Sequence, residues 1–69
     1  MSTYGKPWAD EIKIIAKAFH VPERIYNSII ATTDIISTAN MPRYYGGDEN
    51  AYLYDKAYKK LKPFIMANI

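Results

Sequence analysis

The chain has 69 residues, with nine Lys and Arg against seven Asp and Glu and no cysteine. A chain of this length forms one domain, taken as residues 1–69, and it must be held together by hydrophobic packing rather than by disulfides or thiolate-bound metal. The net charge of +2 permits nucleic-acid binding but does not indicate it. No stretch reaches the roughly 20 apolar residues that span a bilayer, and the first residues lack a secretory-signal pattern. We therefore expect a cytoplasmic protein with no membrane partner.

Two short helices are predicted in the first half of the chain. The first begins at Pro7, and its apolar face consists of Trp8, Ile12, Ile15, Ala16 and Phe19. The second begins at Pro22, because proline disfavours helical geometry in the residue before it but suits the first turn of a helix. Its apolar positions are Ile25, Tyr26, Ile29 and Ile30. Glu23, Arg24, Asn27, Ser28 and Ala31 are left toward solvent or a partner.

The second half of the chain predicts a connector, a hairpin and a third helix. Residues 32–40 are rich in β-branched side chains, which favours a helix end followed by a connector. Two aromatic-rich runs, 41–45 and 51–54, flank Gly46-Gly47 and predict a β-hairpin. Asp55 is predicted to cap the third helix, and Pro63 to kink or end it. That helix carries Ala57, Tyr58, Leu61 and, toward its end, Phe64 and Ile65.

The first two helices and their short turn fit the helix-turn-helix pattern, whose second helix can enter the major groove of DNA. Ala16 is the small residue at the crossing, and Phe19 and Val21 stand where the pattern requires apolar anchors. Residues 15–31 therefore resemble the helix-turn-helix of phage repressors and excisionases. His20 stands where that family usually has glycine, at a turn position that often requires positive φ, and histidine tolerates positive φ better than most residues.

The downstream residues extend this resemblance over roughly residues 12–64. Met41-Pro42, Gly46-Gly47, Asn50 and residues 53–57 resemble the wing and following helix of the excisionase and MerR-like group. They are most similar to the DNA-binding domain of lambda-type phage terminase small subunits. The resemblance implies a mainly α fold with a small β-hairpin, a winged helix-turn-helix of three helices plus wing. The connector is about two helical turns longer than in that family, so either the recognition helix is extended or the fold differs there.

The implied function is non-catalytic, sequence-specific binding of double-stranded DNA by a protein of a phage or mobile element. Its role would be excisionase-like, repressor-like or packaging-initiating, and the lack of a long assembly segment favours the first two. The resemblance implies that the second helix lies in the major groove, where Arg24 pairs with guanine, Asn27 with adenine and Ser28 contacts a further base. Lys17 and Arg43 would hold phosphates, while Tyr44 and Tyr45 in the wing would contact the backbone or minor groove.

Several observations leave alternatives open. Asp48 and Glu49 would be repelled by phosphates, so either the wing contacts DNA from its Arg43 side or its tip faces a protein neighbour. Four lysines at 56, 59, 60 and 62 form either a phosphate-binding face or a solubilising surface. We expect self-association on DNA, for which the apolar tail 64–69 is a candidate contact. The tyrosines are either a stacking platform for bases or core residues, and core packing is favoured for Tyr26 and Tyr58.

The alternative function is a small viral protein-interaction module that binds and inhibits a host enzyme. Tyrosine is enriched at protein interfaces, and the candidate contact residues are Tyr44, Tyr45, Asp48, Glu49 and Tyr52. An enzyme is not predicted, because no carboxylate pair, nucleophile–base set or metal cluster stands at a suitable spacing. No cofactor or metal is expected either, since His20 has neither a second histidine nor a cysteine nearby.

Overall fold

The computed structural model describes residues 6–67 and contains three α-helices. They are α1 (Pro7–Ala18), α2 (Glu23–Asp34) and α3 (Glu49–Ala67), and one turn of 3-10 helix, Arg43–Tyr45, lies in the linker before α3. The described part of the chain contains no β-strand. The prediction of a mainly α fold with three helices agrees with this architecture, whereas the predicted β-hairpin wing is wrong.

The start of α1 follows the sequence prediction. Pro7 opens the helix and Asp10 lies in its first turn, where an acidic side chain is stabilised by the positive end of the helix dipole. Trp8, Ile12 and Ala16 are buried on one face, as the apolar spacing predicts. None of the helices in residues 6–67 is both long and apolar enough to cross a membrane.

The turn between α1 and α2 depends on a left-handed residue. His20 has φ +61°, the conformation expected at this position. The His20 N–H donates to the carbonyl of Lys17 at 3.1 Å, and the Val21 N–H donates to the carbonyl of Ala16 at 2.9 Å. This pair of hydrogen bonds is the Schellman ending of a helix, usually completed by glycine. It brings buried Val21 back onto buried Ala16 and directs the chain into α2.

Helix α2 begins at Glu23, one residue later than predicted, with Pro22 as its N-cap. Tyr26 and Ile29 are buried, which confirms the core role predicted for Tyr26. Thr33 is also fully buried, and its hydroxyl donates to the carbonyl of Ile29 at 2.7 Å. The helix ends at Asp34 and residues 35–42 form the connector, so this part of the prediction is confirmed.

The segment predicted as a wing is instead the entry to α3. Gly46 and Gly47 have φ +63° and +83°, and they reverse the chain into a helix rather than into a second strand. Asp48 caps that helix, because its Oδ1 accepts the backbone N–H of Ala51 at 3.1 Å. An aspartate cap followed by Glu49 in the first turn is a strong helix-start signal, and it outweighs the β propensity of residues 51–54.

Two further expectations about α3 are corrected. Asp55, predicted to cap the helix, lies inside it, since the helix starts at Glu49. Pro63 does not end the helix, which continues to Ala67. Pro63 has no N–H to donate to the carbonyl one turn earlier, so the helix runs on with one hydrogen bond fewer.

The hydrophobic core lies between the three helices. Ile12 of α1 and Leu61 of α3 are fully buried, and Ala57 and Ile65 extend the core along α3. The Trp8 backbone N–H donates to Asn50 Oδ1 at 2.8 Å, which places the start of α1 beside the start of α3. The Lys6 ammonium meets the Asp34 carboxylate at 2.8 Å, which places the end of α2 beside the start of α1. The start of α1 therefore lies beside both the start of α3 and the end of α2.

This arrangement also corrects the expected crossing of α1 and α2. Helix-turn-helix pairs open at roughly 90–120°. Each of these helices has 12 residues and is about 18 Å long, so an opening of 90° would separate their far ends by about 25 Å. That distance is beyond the reach of one lysine and one aspartate side chain. The Lys6–Asp34 contact therefore closes the pair into an antiparallel helical hairpin.

Candidate nucleic-acid interface

The seven residues predicted to contact DNA fall into two separate groups. Lys17, Arg24, Asn27 and Ser28 are all exposed on the last turn of α1 and the first half of α2. Arg43, Tyr44 and Tyr45 form the 3-10 turn, which packs against the first half of α3. The start of α3 lies beside the start of α1, so the second group lies far from the junction of α1 and α2 that carries the first group. One surface that uses all seven residues, as a wing would provide, does not form.

The outer face of α2 presents a row of side chains at helical spacing. Arg24, Ser28 and Ala31 lie at positions i, i+4 and i+7, so they follow one another along the exposed face, with Asn27 beside them. Within residues 6–67, the side chains of Arg24, Asn27 and Ser28 have no hydrogen-bond or ion-pair partner. Ser28 and Ala31 are small, so the middle of this face allows close approach by a partner.

Lysines of α1 border this face on one side. Lys6, Lys13 and Lys17 occupy positions i, i+7 and i+11, which share one face of the helix and its N-cap. Lys6 reaches Asp34 of α2, so this row lies along the α2 side of α1. Lys13 and Lys17 are exposed, and neither has an ion-pair partner in the described part of the chain. Lys17 also lies in the last turn of α1, where a cation stabilises the helix dipole.

Lysines of α3 border the same face on its other side. The Lys60 ammonium donates to Thr32 Oγ1 of α2 at 3.3 Å, which fixes the position of this border. Lys59 is exposed next to it. Lys56 lies one turn earlier, and its ammonium is 5.4 Å from the centre of the Tyr52 ring. Lys59 and Lys60 belong to the four lysines for which the sequence leaves a phosphate-binding face and a solubilising surface open. Lys13 is not among the predicted phosphate contacts, although its spacing of four residues from Lys17 places both on one face of α1.

Charge is distributed unevenly along the bundle. Residues 13–28 and 59–67, which contain the end of α1, the start of α2 and the end of α3, carry six cations and one carboxylate, a net +5. Residues 6–12 and 29–58 carry three cations and six carboxylates, a net −3. The overall charge of +2 therefore combines a strongly basic part, residues 13–28 and 59–67, here called the basic end, with an acidic part, residues 6–12 and 29–58, here called the acidic end. The cations of the basic end are Lys13, Lys17, Arg24, Lys59, Lys60 and Lys62.

The tyrosines of the 3-10 turn are tied to the acidic end. The Tyr44 hydroxyl donates to the Tyr45 oxygen at 3.1 Å, and the Tyr45 hydroxyl donates to Asp55 Oδ2 at 2.7 Å. The hydrogen bond with Tyr44, followed by that with Asp55, raises the pKa of Tyr45 well above its ordinary value of 10.0. The Tyr45 proton is thus held by Asp55 and is not available to a phosphate. Because the described residues form no wing, the wing roles predicted for Tyr44 and Tyr45 are wrong.

The remaining tyrosines of α3 serve packing. Tyr52 is buried beneath the 3-10 turn, with its ring 5.3 Å from that of Tyr45 in an edge-on arrangement. Tyr54 and Tyr58 stack with ring centres 6.1 Å apart and pack against the core. Burial, and then the charge of Glu11, raises the pKa of Tyr54. These rings do not form a continuous platform on which nucleotide bases could stack.

No cavity that could hold a small molecule is found in residues 6–67, and no group of three metal-ligating side chains occurs there. Comparisons with protein-family models, with curated proteins and with solved structures give no match. The functional argument therefore depends on the chemistry of the α2 face and its lysine borders.

Proposed function

We propose that this chain is a non-catalytic protein that binds double-stranded DNA by inserting the outer face of α2 into the major groove. One observation carries the proposal: the free side chains of Arg24, Asn27 and Ser28 lie on an exposed helix bordered on both sides by exposed lysines. DNA offers base edges in a groove between two phosphate backbones, which is the complement of this arrangement.

The dimensions and chemistry of the surface fit the groove. An α-helix is about 10–12 Å across and the major groove is about 12 Å wide. Arg24 can donate two hydrogen bonds to guanine, and Asn27 can both donate to and accept from adenine. The lysines at the borders, on α1 and α3, would then face the phosphates of the two strands. This mode of binding requires neither a wing nor crossed helices.

The proposed role stays that of a regulatory or architectural DNA binder of a phage or mobile element, acting in recombination, repression or packaging. A single short helix contacts few base pairs, so we expect two molecules to bind neighbouring half-sites. Phe64 and Met66 are exposed and are candidate contacts between such molecules, whereas Ile65 is buried in the core. Residues 68–69 of the apolar tail lie outside the described residues.

Selection of bound duplexes from random DNA at low and moderate salt tests the proposal, with Arg24→Ala and Arg43→Ala compared side by side. Both arginines are exposed, but only Arg24 lies on the α2 face. We expect the wild-type protein and Arg43→Ala to enrich the same sequence, and Arg24→Ala to lose preference for one guanine. Failure of the wild-type protein to enrich any sequence, or equal loss in both variants, would refute the proposal.

Protein binding at the acidic end is a second candidate function. Tyr44 is 79% exposed, and its ring centre is 4.3 Å from that of Tyr45, so a large aromatic surface is held outward among Asp48, Glu49 and Asp55. Tyr52 is buried, so it is not available as one of the predicted contact residues. For this candidate, Tyr44→Ala would abolish capture of a basic protein partner while Arg24→Ala would leave capture unchanged, as measured by titration calorimetry.

A further inference from the structure

The row of side chains on the outer face of α2 continues beyond the last helical residue. Ile35 is the C-cap of α2, with φ −91° and ψ 1°, and it lies four residues beyond Ala31 and eleven beyond Arg24. Its side chain is 83% exposed, more than any other large apolar residue in the described part of the chain. The exposed face of α2 thus changes from cationic at Arg24, through small side chains, to apolar at Ile35.

The chemistry of the major groove suggests what such a residue contacts. Base edges in that groove present hydrogen-bond donors and acceptors and one apolar group, the C5-methyl of thymine. A helix that placed Arg24 on a base edge would carry Ile35 along the same groove. Eleven residues of helix rise about 16 Å, and base pairs repeat every 3.4 Å along the DNA axis, to which the groove is inclined, so the two side chains would stand at most about five base pairs apart.

We infer that Ile35 is a specificity-determining residue that recognises the methyl group of a thymine within about five base pairs of the guanine contacted by Arg24. This inference rests on the proposed function, since it assumes that α2 lies in the major groove. It adds an apolar contact to the polar contacts predicted for Arg24 and Asn27, at the opposite end of the helix. It also gives a reason for an isoleucine that no residue of the described chain covers.

The test replaces single thymines by deoxyuridine in the tightest duplex obtained by selection. Deoxyuridine pairs with adenine as thymidine does, and it differs from thymidine only in lacking the methyl group. Burial of one such carbon contributes about 0.8 kcal/mol, so we expect one replacement, within about five base pairs of the Arg24 guanine, to weaken wild-type binding about four-fold. Ile35→Ala should bind the two duplexes equally, whereas Ile35→Val, which keeps a branched apolar group, should retain most of the difference.

The controls separate this inference from the proposed function. Ile14→Ala removes another exposed isoleucine, 63% exposed on α1, and should leave discrimination between thymine and deoxyuridine intact. Sequence-selective binding that depends on Arg24 but is insensitive to every deoxyuridine replacement would overturn the inference alone. An identical methyl effect in the wild type and Ile35→Ala would overturn it too. Absence of sequence-selective binding by the wild type would overturn both.

Discussion

The lysine borders of α2 predict a specific dependence of DNA binding on salt. Lys13 and Lys17 on one side, and Lys59 and Lys60 on the other, would each neutralise one phosphate. Each phosphate contact lowers the slope of log affinity against log salt concentration by about 0.9, so four contacts give a slope of about −3.6. Raising the salt from about 50 to about 200 mM would then weaken binding about 150-fold.

Removal of one border lysine provides the quantitative test. Lys60→Ala leaves three contacts, so the slope should change to about −2.7 and the loss over the same salt range to about 40-fold. Arg43→Ala is the matched control, because Arg43 is an exposed cation at the acidic end, and its slope should equal that of the wild type. Fluorescence anisotropy with a labelled duplex at four salt concentrations gives these slopes. An unchanged slope for Lys60→Ala, or a reduced slope for Arg43→Ala, would refute the assignment of the lysines to phosphates.

Three further predictions concern the fold. His20→Gly relieves the left-handed backbone strain and should raise the free energy of unfolding by about 0.5 kcal/mol, whereas β-branched His20→Val should lower it by about 1–2 kcal/mol. Thermal melts that rank the two variants in the reverse order would contradict the turn geometry. Asp48→Ala should lower the free energy of unfolding by about 1 kcal/mol, and Asp48→Asn should lower it much less, because asparagine also caps helices. Equal losses for the two variants in urea denaturation would argue against the cap. The raised pKa of Tyr45 means that its stabilising contribution is complete below pH 10.0 and is lost as the pH rises further, since the unfolded state releases this proton first. Above that pH the urea midpoint should fall more steeply for the wild type than for Tyr45→Phe, and parallel curves would contradict the Tyr45–Asp55 hydrogen bond.

The first two helices could be predicted from the sequence because their signals are local. Pro7 and Pro22 mark the helix starts, and the apolar residues of each helix recur on one face. Even the positive φ of His20 follows from its position in the turn. The closing of the pair by Lys6 and Asp34 could not be predicted, since it joins residues 28 positions apart through exposed side chains.

The hairpin prediction failed for a physical reason that lies in α3. This helix is covered on more than one side: Leu61 faces the core, while Tyr52 is buried on another side by the 3-10 turn. The consecutive large residues at 52–54 therefore all pack against other parts of the chain. Their sequence pattern resembles that of a strand rather than that of an amphipathic helix. The signal that predicts the helix start is Asp48 followed by Glu49, although the same two polar residues also suit the tip of a turn.

The candidate interface was predictable only in part. Arg24, Asn27 and Ser28 lie on the exposed face of α2, as their spacing predicts. The pairing of this face with Lys60 depends on how α3 packs against α2, and the sequence does not specify that packing. Arg43 was assigned to the same surface because it belonged to the predicted wing, and without the wing it lies at the opposite end.

The central claim is that DNA contacts the outer face of α2, and mapping of backbone amide chemical shifts by nuclear magnetic resonance tests it most directly. A labelled sample titrated with the selected duplex should show its largest shifts in residues 24–35, with smaller ones near Lys17 and Lys60. Residues 43–49 should move little. Shifts concentrated around Tyr44 and Asp48, with α2 unchanged, would contradict the account.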